Sequence, residues 1–531
     1  MALKTGRSGI CSNFGNCSIA DARTTVEVPS GLDFVCTECG KPLLLAGSND
    51  EGRNSKTPLV VGALLLLVMG AAWFLLAGKK SADPVSAVVS APSKPAAAAA
   101  APAAATVLLR IHGSNTLGSR LVPALAEAYL KNEGAGDLKR IAGGSPVEVS
   151  VQGRFPDGSV KSIDIAAHGS STAFDGLGRG AADVGMSSRR INPAEVTKLA
   201  SLGDLTAPAG EHVVGLDGLA VIVHKANPVS TLSKAQLAAI FAGETVDWGQ
   251  LGSAAKGKSG PIALFARDEK SGTFDSFQQL VLASSKLSGG AKRFEDSAQL
   301  SAAVANDPNG IGFIGLPYVL DARAIGVADK GAVALLPNRF TVATEDYVLS
   351  RRLYLYTATA PANPNVSKFV GFAKSKAGQD IVAQQGFVEQ TVQAQDKAAS
   401  FNLGSVADAP TEYRQATANA TRLSLNFRFR TGSRDLDNKA IPDLDRVVTF
   451  LADMRTAPGS VMLFGFADSR GAADANVKLS RDRAQTVADE FKQRGIAPAV
   501  VTGFGASLPV ASNDTAEGQE KNRRVEIWVK R

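Results

Sequence analysis

After residue 39 the 531-residue chain contains no cysteine, which confines any disulfide or thiolate-held metal to its beginning. Its four histidines, His112, His168, His212 and His224, show no metal-ligand spacing. No G-x-S-x-G elbow, Walker A loop or spaced carboxylate pair stands out either, so nothing points to catalysis. Dense Lys/Arg tracts with interleaved aromatics are missing and the net charge of +7 is spread along the chain, which leaves no footprint for nucleic acid. A mildly basic balance suits a protein that sits near anionic wall or lipid. Charge is also absent from LVVGALLLLVMGAAWFLLAG, the 20 residues 59–78. At about 1.5 Å per residue this run crosses roughly 30 Å of hydrocarbon as a transmembrane helix. Having no Asp, Glu, Lys, Arg or His, it offers no group for ion conduction, and anchoring is the simpler role. A cleavable signal peptide would start nearer the N-terminus. The length exceeds one core and predicts three or more modules.

The densest pattern lies at the C-terminal end. Apolar Val461, Leu463 and Phe464 predict a strand ending at Asp468, followed by a polar loop and a helix with Asn476 as N-cap. The helix's core face reads Ala484, Val487, Ala488, Phe491, and Gly495 and Pro498 stop it. Arg483 then lies in the early turns, able to swing toward Asp468. A carboxylate and a guanidinium facing one cleft suit a zwitterion such as the diaminopimelate head group. Alone, such a pair would be an ordinary surface salt bridge. The runs FADSRGAADANVKLSRDRA and EGQEKNRRVEIWV, however, resemble the OmpA-like peptidoglycan-binding domain, matching its TD-x-x-G-x-x-x-x-N-x-x-L-S-x-x-R-A and G-x-x-x-N-R-R-V patterns except for Ala467 in place of threonine. The resemblance implies a peptidoglycan site built from Asp468, Asn476, Arg483, Asn522 and Arg523, with Arg524 beside it. The two arginines before a strand also read as a solvated edge.

At the other end, Cys11, Cys17, Cys36 and Cys39 are spaced as two pairs. The run FVCTECGKPL carries the turn and glycine that let two thiolates converge on tetrahedral Zn²⁺. The segment resembles a zinc ribbon with a closed, structural Zn²⁺ shell, although its first pair is wider than usual. Two disulfides are the alternative, and compartment decides between them. Lysines and arginines balance across the run 59–78 and do not orient it. A wall-binding C-terminal domain must be periplasmic, which puts the cysteines in the cytosol and favours zinc.

Residues 79–106 are an Ala/Pro-rich tether, spanning roughly 80 Å if its low-complexity part were fully extended polyproline at about 3.1 Å per residue. Beyond it, β-rich runs such as 107–111, 219–223 and 262–265 alternate with helical patterns, which predicts α/β layers. Several strands end in turns suited to oxyanions: HGSNTLGSRL, HGSSTAFDGLGRGAADVGMSSRRI and ARDEKSGTFDSF. Glycine lets backbone N–H groups approach, hydroxyls donate, and a following helix adds its positive end. Each turn alone could be a helix cap. With NGIGFIGLPYV at 309–319 they resemble the PstS-like phosphate receptors of ABC transporters, over about residues 107–392. That resemblance implies an anion site of Thr116 and Leu117, Ser170 or Ser171, and Arg267, Ser271, Gly272 and Thr273 in the R-x-x-x-S-G-T run. Where the family has an aspartate that accepts the proton of hydrogen phosphate, this chain has Ser188, followed by Arg189. Such a carboxylate also repels an unprotonated dianion such as sulfate, so Ser188 leaves the choice between phosphate and other oxyanions open.

The expected molecule is multidomain α/β. A zinc-ribbon-like module (1–57) and a single transmembrane helix (58–78) precede the tether (79–106). A two-lobed, periplasmic-binding-protein-like domain (107–395), a linker (396–420) and an α+β OmpA-like domain (421–531) follow. It is expected in the inner membrane of a Gram-negative cell, single-pass, with the N-terminus cytosolic and the later domains periplasmic. Its expected partners are peptidoglycan through the diaminopimelate stem peptide, phosphate or a related oxyanion, and an ABC transporter permease. The alternative is an envelope sensor or structural membrane-to-wall tether whose receptor-like domain binds a protein or no small ligand.

Overall fold

The structure, a computed structural model, describes residues 7–10, 24–28, 35–37, 43–45, 105–395 apart from 270, and 408–530 apart from 431, 432, 434 and 456–458. The chain divides into two compact units, Met1–Ala98 and Ala99–Arg531. In the first, Arg7–Ile10 lies between Thr25–Val28 and Leu44–Leu45 in an antiparallel sheet. Cys36 is buried there. Cys11, Cys17, Cys39, the run 59–78 and most of the tether lie outside the described residues. Among the described residues no helix is long and apolar enough to cross a membrane.

The second unit opens with β1 (Thr106–Gly113), where Leu109 and Ile111 alternate into the core, the period expected of a strand. There follow α1 (Val122–Asn132), β2 (Gly136–Ala142), β3 (Glu148–Arg154), β4 (Val160–Ala166), α2 (Ser170–Gly178) and β5 (Val184–Ser187). After the short helix Pro193–Lys198 comes the long β6 (Glu211–Val223), buried along almost its whole length and carrying Glu211 and Asp217 among its apolar residues. After it come β7 (Ala263–Arg267), α3 (Gly272–Phe277), β8 (Lys292–Phe294), α4 (Ser297–Asn306), β9 (Gly310–Gly315) and β10 (Ser350–Tyr356). Helices α5 (Pro364–Lys374) and α6 (Lys376–Gln384) complete this part.

The strands form one sheet in the order β8-β7-β9-β6-β10-β5-β1-β4-β3-β2. β6 joins its two halves. Glu211 to Gly218 pair antiparallel with β10, and Leu219 to Val223 pair with β9. Each half has its own core. Leu109, Ile111, Leu125, Val184, Leu353 and Phe369 fill one; Leu219, Val221, Phe241, Phe277, Phe313 and Tyr347 fill the other. Within the second, the Phe277 and Phe313 rings stack at 3.9 Å. Burying a side chain of this size contributes about 1.5–3 kcal/mol. Two cores strung on a shared strand give the expected two-lobed α/β architecture.

The C-terminal part consists of β11 (Ala420–Arg428), α7 (Ala440–Asp453), β12 (Val461–Gly465), α8 (Ala473–Gln493), β13 (Val500–Gly503), α9 (Ala516–Asn522) and β14 (Arg524–Lys530). Its sheet order is β11-β14-β12-β13. The face Ala484, Val487, Ala488, Phe491 is fully buried as expected, and Gly495 follows the helix with φ 82°. The start of α8 differs from expectation. Ala472 caps it, so Asn476 lies inside the helix and is buried. The Ala473–Asp474–Ala475 stretch carries helix-forming alanines and a first-turn carboxylate that favours the helix's positive end.

The expected linker 396–420 is not all linker. Just before it, Gln393 and Gln395 hydrogen-bond along β11, and within it the helix Thr411–Thr417 places Tyr413 at the centre of an aromatic cluster with Phe464, Phe466, Phe504 and Trp528. The apolar period is too short there to be read from the sequence.

Candidate functional site

A cavity of about 600 Å³ opens between the two halves of the large sheet, where the turns after β1 and β7 meet. Thr116, Arg120, Asp217, Arg267, Ser271, Gly272 and Thr273 line it. The contact depends on Gly272: a Cβ there would stand 2.0 Å from Thr116 Oγ1 and 2.4 Å from its backbone nitrogen. Ser271 is extended and caps α3, its Oγ accepting from Thr273 N at 3.2 Å. Thr116 comes from one lobe and Gly272 from the other, so the two lobes touch at the wall of this cavity.

Arg267 borders the cavity with its guanidinium pulled to one side. Its Nε donates to Phe294 O at 3.2 Å, Nη1 to Ser297 Oγ at 2.5 Å and Nη2 to Glu295 O at 2.8 Å. Burial lowers its pKa below the ordinary guanidinium value. Asp268, Glu295 and Asp296 share the rim, so the cavity mixes both signs of charge.

Four of the expected anion ligands are placed elsewhere. Leu117 is fully buried in the first core, and neither it nor Ser170, Ser171 or Ser188 lines the cavity. Ser170 and Ser188 satisfy each other: their hydroxyl oxygens are 3.3 Å apart, and Ser188 N donates to Ser170 Oγ at 3.1 Å. Ser171 is exposed. The reason is topological. β1 lies between β4 and β5, so the turns beyond β4 and β5 lie on either side of the Thr116 turn and close on each other.

The sequence reading missed Arg351. Its Nη2 donates to Thr116 Oγ1 at 2.7 Å, to Gly272 O at 3.1 Å and to Asp217 Oδ2 at 3.0 Å. Nε adds a second bond to Asp217 at 3.1 Å. Nη1, also buried, has no hydrogen-bond partner among the described residues. The one available signal was an arginine pair opening the otherwise apolar SRRLYLY strand.

At the C-terminal site, Asp468 is paired with Arg523 rather than Arg483. Arg523 Nη1 donates to Asp468 Oδ2 at 2.9 Å, and Arg470 N donates to Oδ1 at 3.0 Å. Register explains the change: β12 and β14 pair Gly465 with Val525, which brings the residues just beyond them together. Arg483 is buried, its guanidinium 5.4 Å from the centre of the Phe429 ring. Asn522 is fully buried. Its Oδ1 accepts from Val510 N and Ala511 N, and its Nδ2 donates to Ala511 O and Asn513 Oδ1. It therefore fastens the 510–513 loop that borders Asp468, where Asn513 Oδ1 accepts from Ser469 N. Arg524 is not a solvated edge residue; it is fully buried, 4.0 Å from the Phe466 ring centre and 3.0 Å from Glu526 Oε1.

The two folds match known families. Residues 97–416 match the PBP superfamily domain and residues 428–523 the OmpA family. The chain belongs to the PBP superfamily and carries an OmpA-family domain behind it. It is similar to the phosphate-binding protein PstS of Pseudomonas aeruginosa, 30% identical over 249 residues that cover 44% of this chain and 76% of that protein. Protein SphX of Synechococcus elongatus is 29% identical over 236 residues, 43% of this chain and 68% of that one. Among solved structures, an ABC-type phosphate transport receptor from Vibrio cholerae aligns with 53% of this chain and 99% of its own, at 24% identity and a TM-score of 0.41.

Proposed function

We propose that this protein is a wall-attached solute receptor: it captures phosphate or a related oxyanion between its two lobes and holds peptidoglycan non-covalently through its OmpA-family domain. The observation that carries the first half is the meeting of Thr116 and Gly272 across the cleft, beside Ser271, Thr273 and two arginines. The phosphate-binding relatives support the choice of ligand class. The cavity is large for orthophosphate and bears carboxylates, and Ser188 stands where a proton-accepting aspartate was expected. An organic phosphate therefore belongs with inorganic phosphate in the first screen. Titration calorimetry of the full chain in detergent tests this: heat with phosphate, abolished in Arg267→Ala, is the expected result. An absence of heat with phosphate, sulfate and phosphonates would remove the receptor reading.

The second half rests on Asp468, which lies at the end of β12 with a cationic partner. Such a pair exchanges its internal contacts for a ligand's ammonium and carboxylate. We expect Asp468→Ala to lose retention on purified sacculi, and unchanged retention counts against the site. In this reading residues 59–78 anchor the chain in the inner membrane with the N-terminus in the cytosol. Four thiolates, Cys11, Cys17, Cys36 and Cys39, would hold a structural Zn²⁺ there, measurable as one equivalent of bound zinc. A transporter permease is the natural recipient of a captured anion. The alternative, a sensor or tether, draws support from the buried seam between receptor and wall-binding folds.

A further inference from the structure

Arg351 and Arg352 are consecutive in β10, so their side chains leave opposite faces of the sheet. Arg351 faces the cleft and is bonded to Thr116 of one lobe and Gly272 of the other. Arg352 faces the OmpA-family domain. Its Nη1 is 2.7 Å from Asp437 Oδ2, and its Nε and Nη2 each donate to Glu345 at 2.9 Å.

The segment leading into β10 is gripped by the same domain. Lys521 Nζ donates to the carbonyls of Tyr347, Val348 and Ser350 at 3.0, 3.1 and 3.1 Å. Asn426 Nδ2 reaches Thr344 O and Asp346 Oδ1, both at 2.8 Å. Arg422 is 2.8 Å from Asp346 Oδ2, and Arg428 Nη1 returns to Lys521 O at 2.6 Å. Lys521 lies two residues before Arg523, the partner of Asp468.

Apolar residues would hold two domains together at less desolvation cost. Charged groups aimed at single atoms instead fix one relative position, which lets a shift on one side be felt on the other. The cleft supplies the element able to shift, because Arg351 holds the Thr116 turn to Gly272 at its wall, and an anion lodged in the cavity that both turns line would draw on the same donors. We propose that the anion cleft and the Asp468 site are thermodynamically coupled through residues 344–352, so that cleft occupancy sets the protein's grip on the wall and the wall sets anion affinity. This rests on the two binding activities proposed above.

Coupling between binding sites is reciprocal, with typical factors of about 5–150. The test is calorimetry on the full chain in nanodiscs. A diaminopimelate-containing muropeptide is titrated with and without saturating inorganic phosphate, and phosphate is titrated with and without the muropeptide. We expect the two affinities to change by the same factor, at least about fivefold. In Arg352→Gln that factor should fall to within about twofold of unity while both ligands still bind; Lys521→Met serves if the first variant fails to fold. Two ligands that bind the wild type with affinities independent of each other would overturn the coupling and leave the functional reading intact. Failure of either probe to bind would overturn both.

Discussion

At the residue scale, the charges that matter most are those water does not reach. Glu345 is buried, and burial alone would raise its carboxyl pKa; Arg352, Arg428 and Lys439 override this and lower it from 4.5 to about 2. A carboxyl whose folded pKa is depressed contributes stability that is present above its unfolded pKa and lost as pH falls through the folded one. The Glu345 contribution should therefore be complete above pH 4.5 and disappear toward pH 2. Thermal melts of wild type and Glu345→Gln should converge across that window; a difference that persists at low pH would show that the charge is not the source. None of this was legible in the sequence. ATEDYVLSRRLYL reads as an acidic turn before a strand, and only the domain packed against it turns its charges inward. The Asp468 carboxylate stood out in the sequence but its ion-pair partner did not, because Arg483 is close in sequence whereas Arg523 is close only through strand register.

At the element scale, two short turns create the cleft. Each was visible from its glycines and hydroxyls, because small residues before a helix expose backbone donors. What could not be read is which turns meet. Gly272 occupies the one place where α3 begins against the Thr116 turn, with no room for a Cβ. Gly272→Ala should force the turns apart and weaken phosphate binding at least about tenfold, the factor that corresponds to about 1.4 kcal/mol. The overall melting temperature should shift far less than for a core truncation such as Leu109→Ala, which would cost about 2–5 kcal/mol. Wild-type phosphate affinity in Gly272→Ala would remove the cleft from the binding mechanism. The serines at 170 and 188 show the opposite outcome: turns with the same composition, flanking the first, are occupied with each other.

At the scale of the whole molecule, the PBP-superfamily and OmpA-family folds belong to one compact unit, Ala99–Arg531. Buried pairs such as Arg352–Asp437 and Arg422–Asp346 join them. Removing one partner of such a pair costs about 3–5 kcal/mol, so neither fold should unfold without exposing charges of the other. Scanning calorimetry of the full chain should show both folds melting in one transition, raised by phosphate. At a free concentration a hundred times Kd the added stability is about 2.7 kcal/mol. Two separate transitions, only one of them moved by phosphate, would mean the seam is not cooperative. The sequence by itself determined that a two-lobed α/β fold precedes an OmpA-family domain, and it marked that domain's helix with its buried face and the glycine- and hydroxyl-bearing turns. These depend on local periodicity, turn chemistry and spacing, which are properties of neighbouring residues. Tertiary structure alone decided that Arg351 bridges the lobes, that Arg523 holds Asp468, and that residues 344–352 are clasped by the second domain. Those contacts join residues far apart in the chain, and a charged side chain carries no local mark of the partner that burial will assign to it.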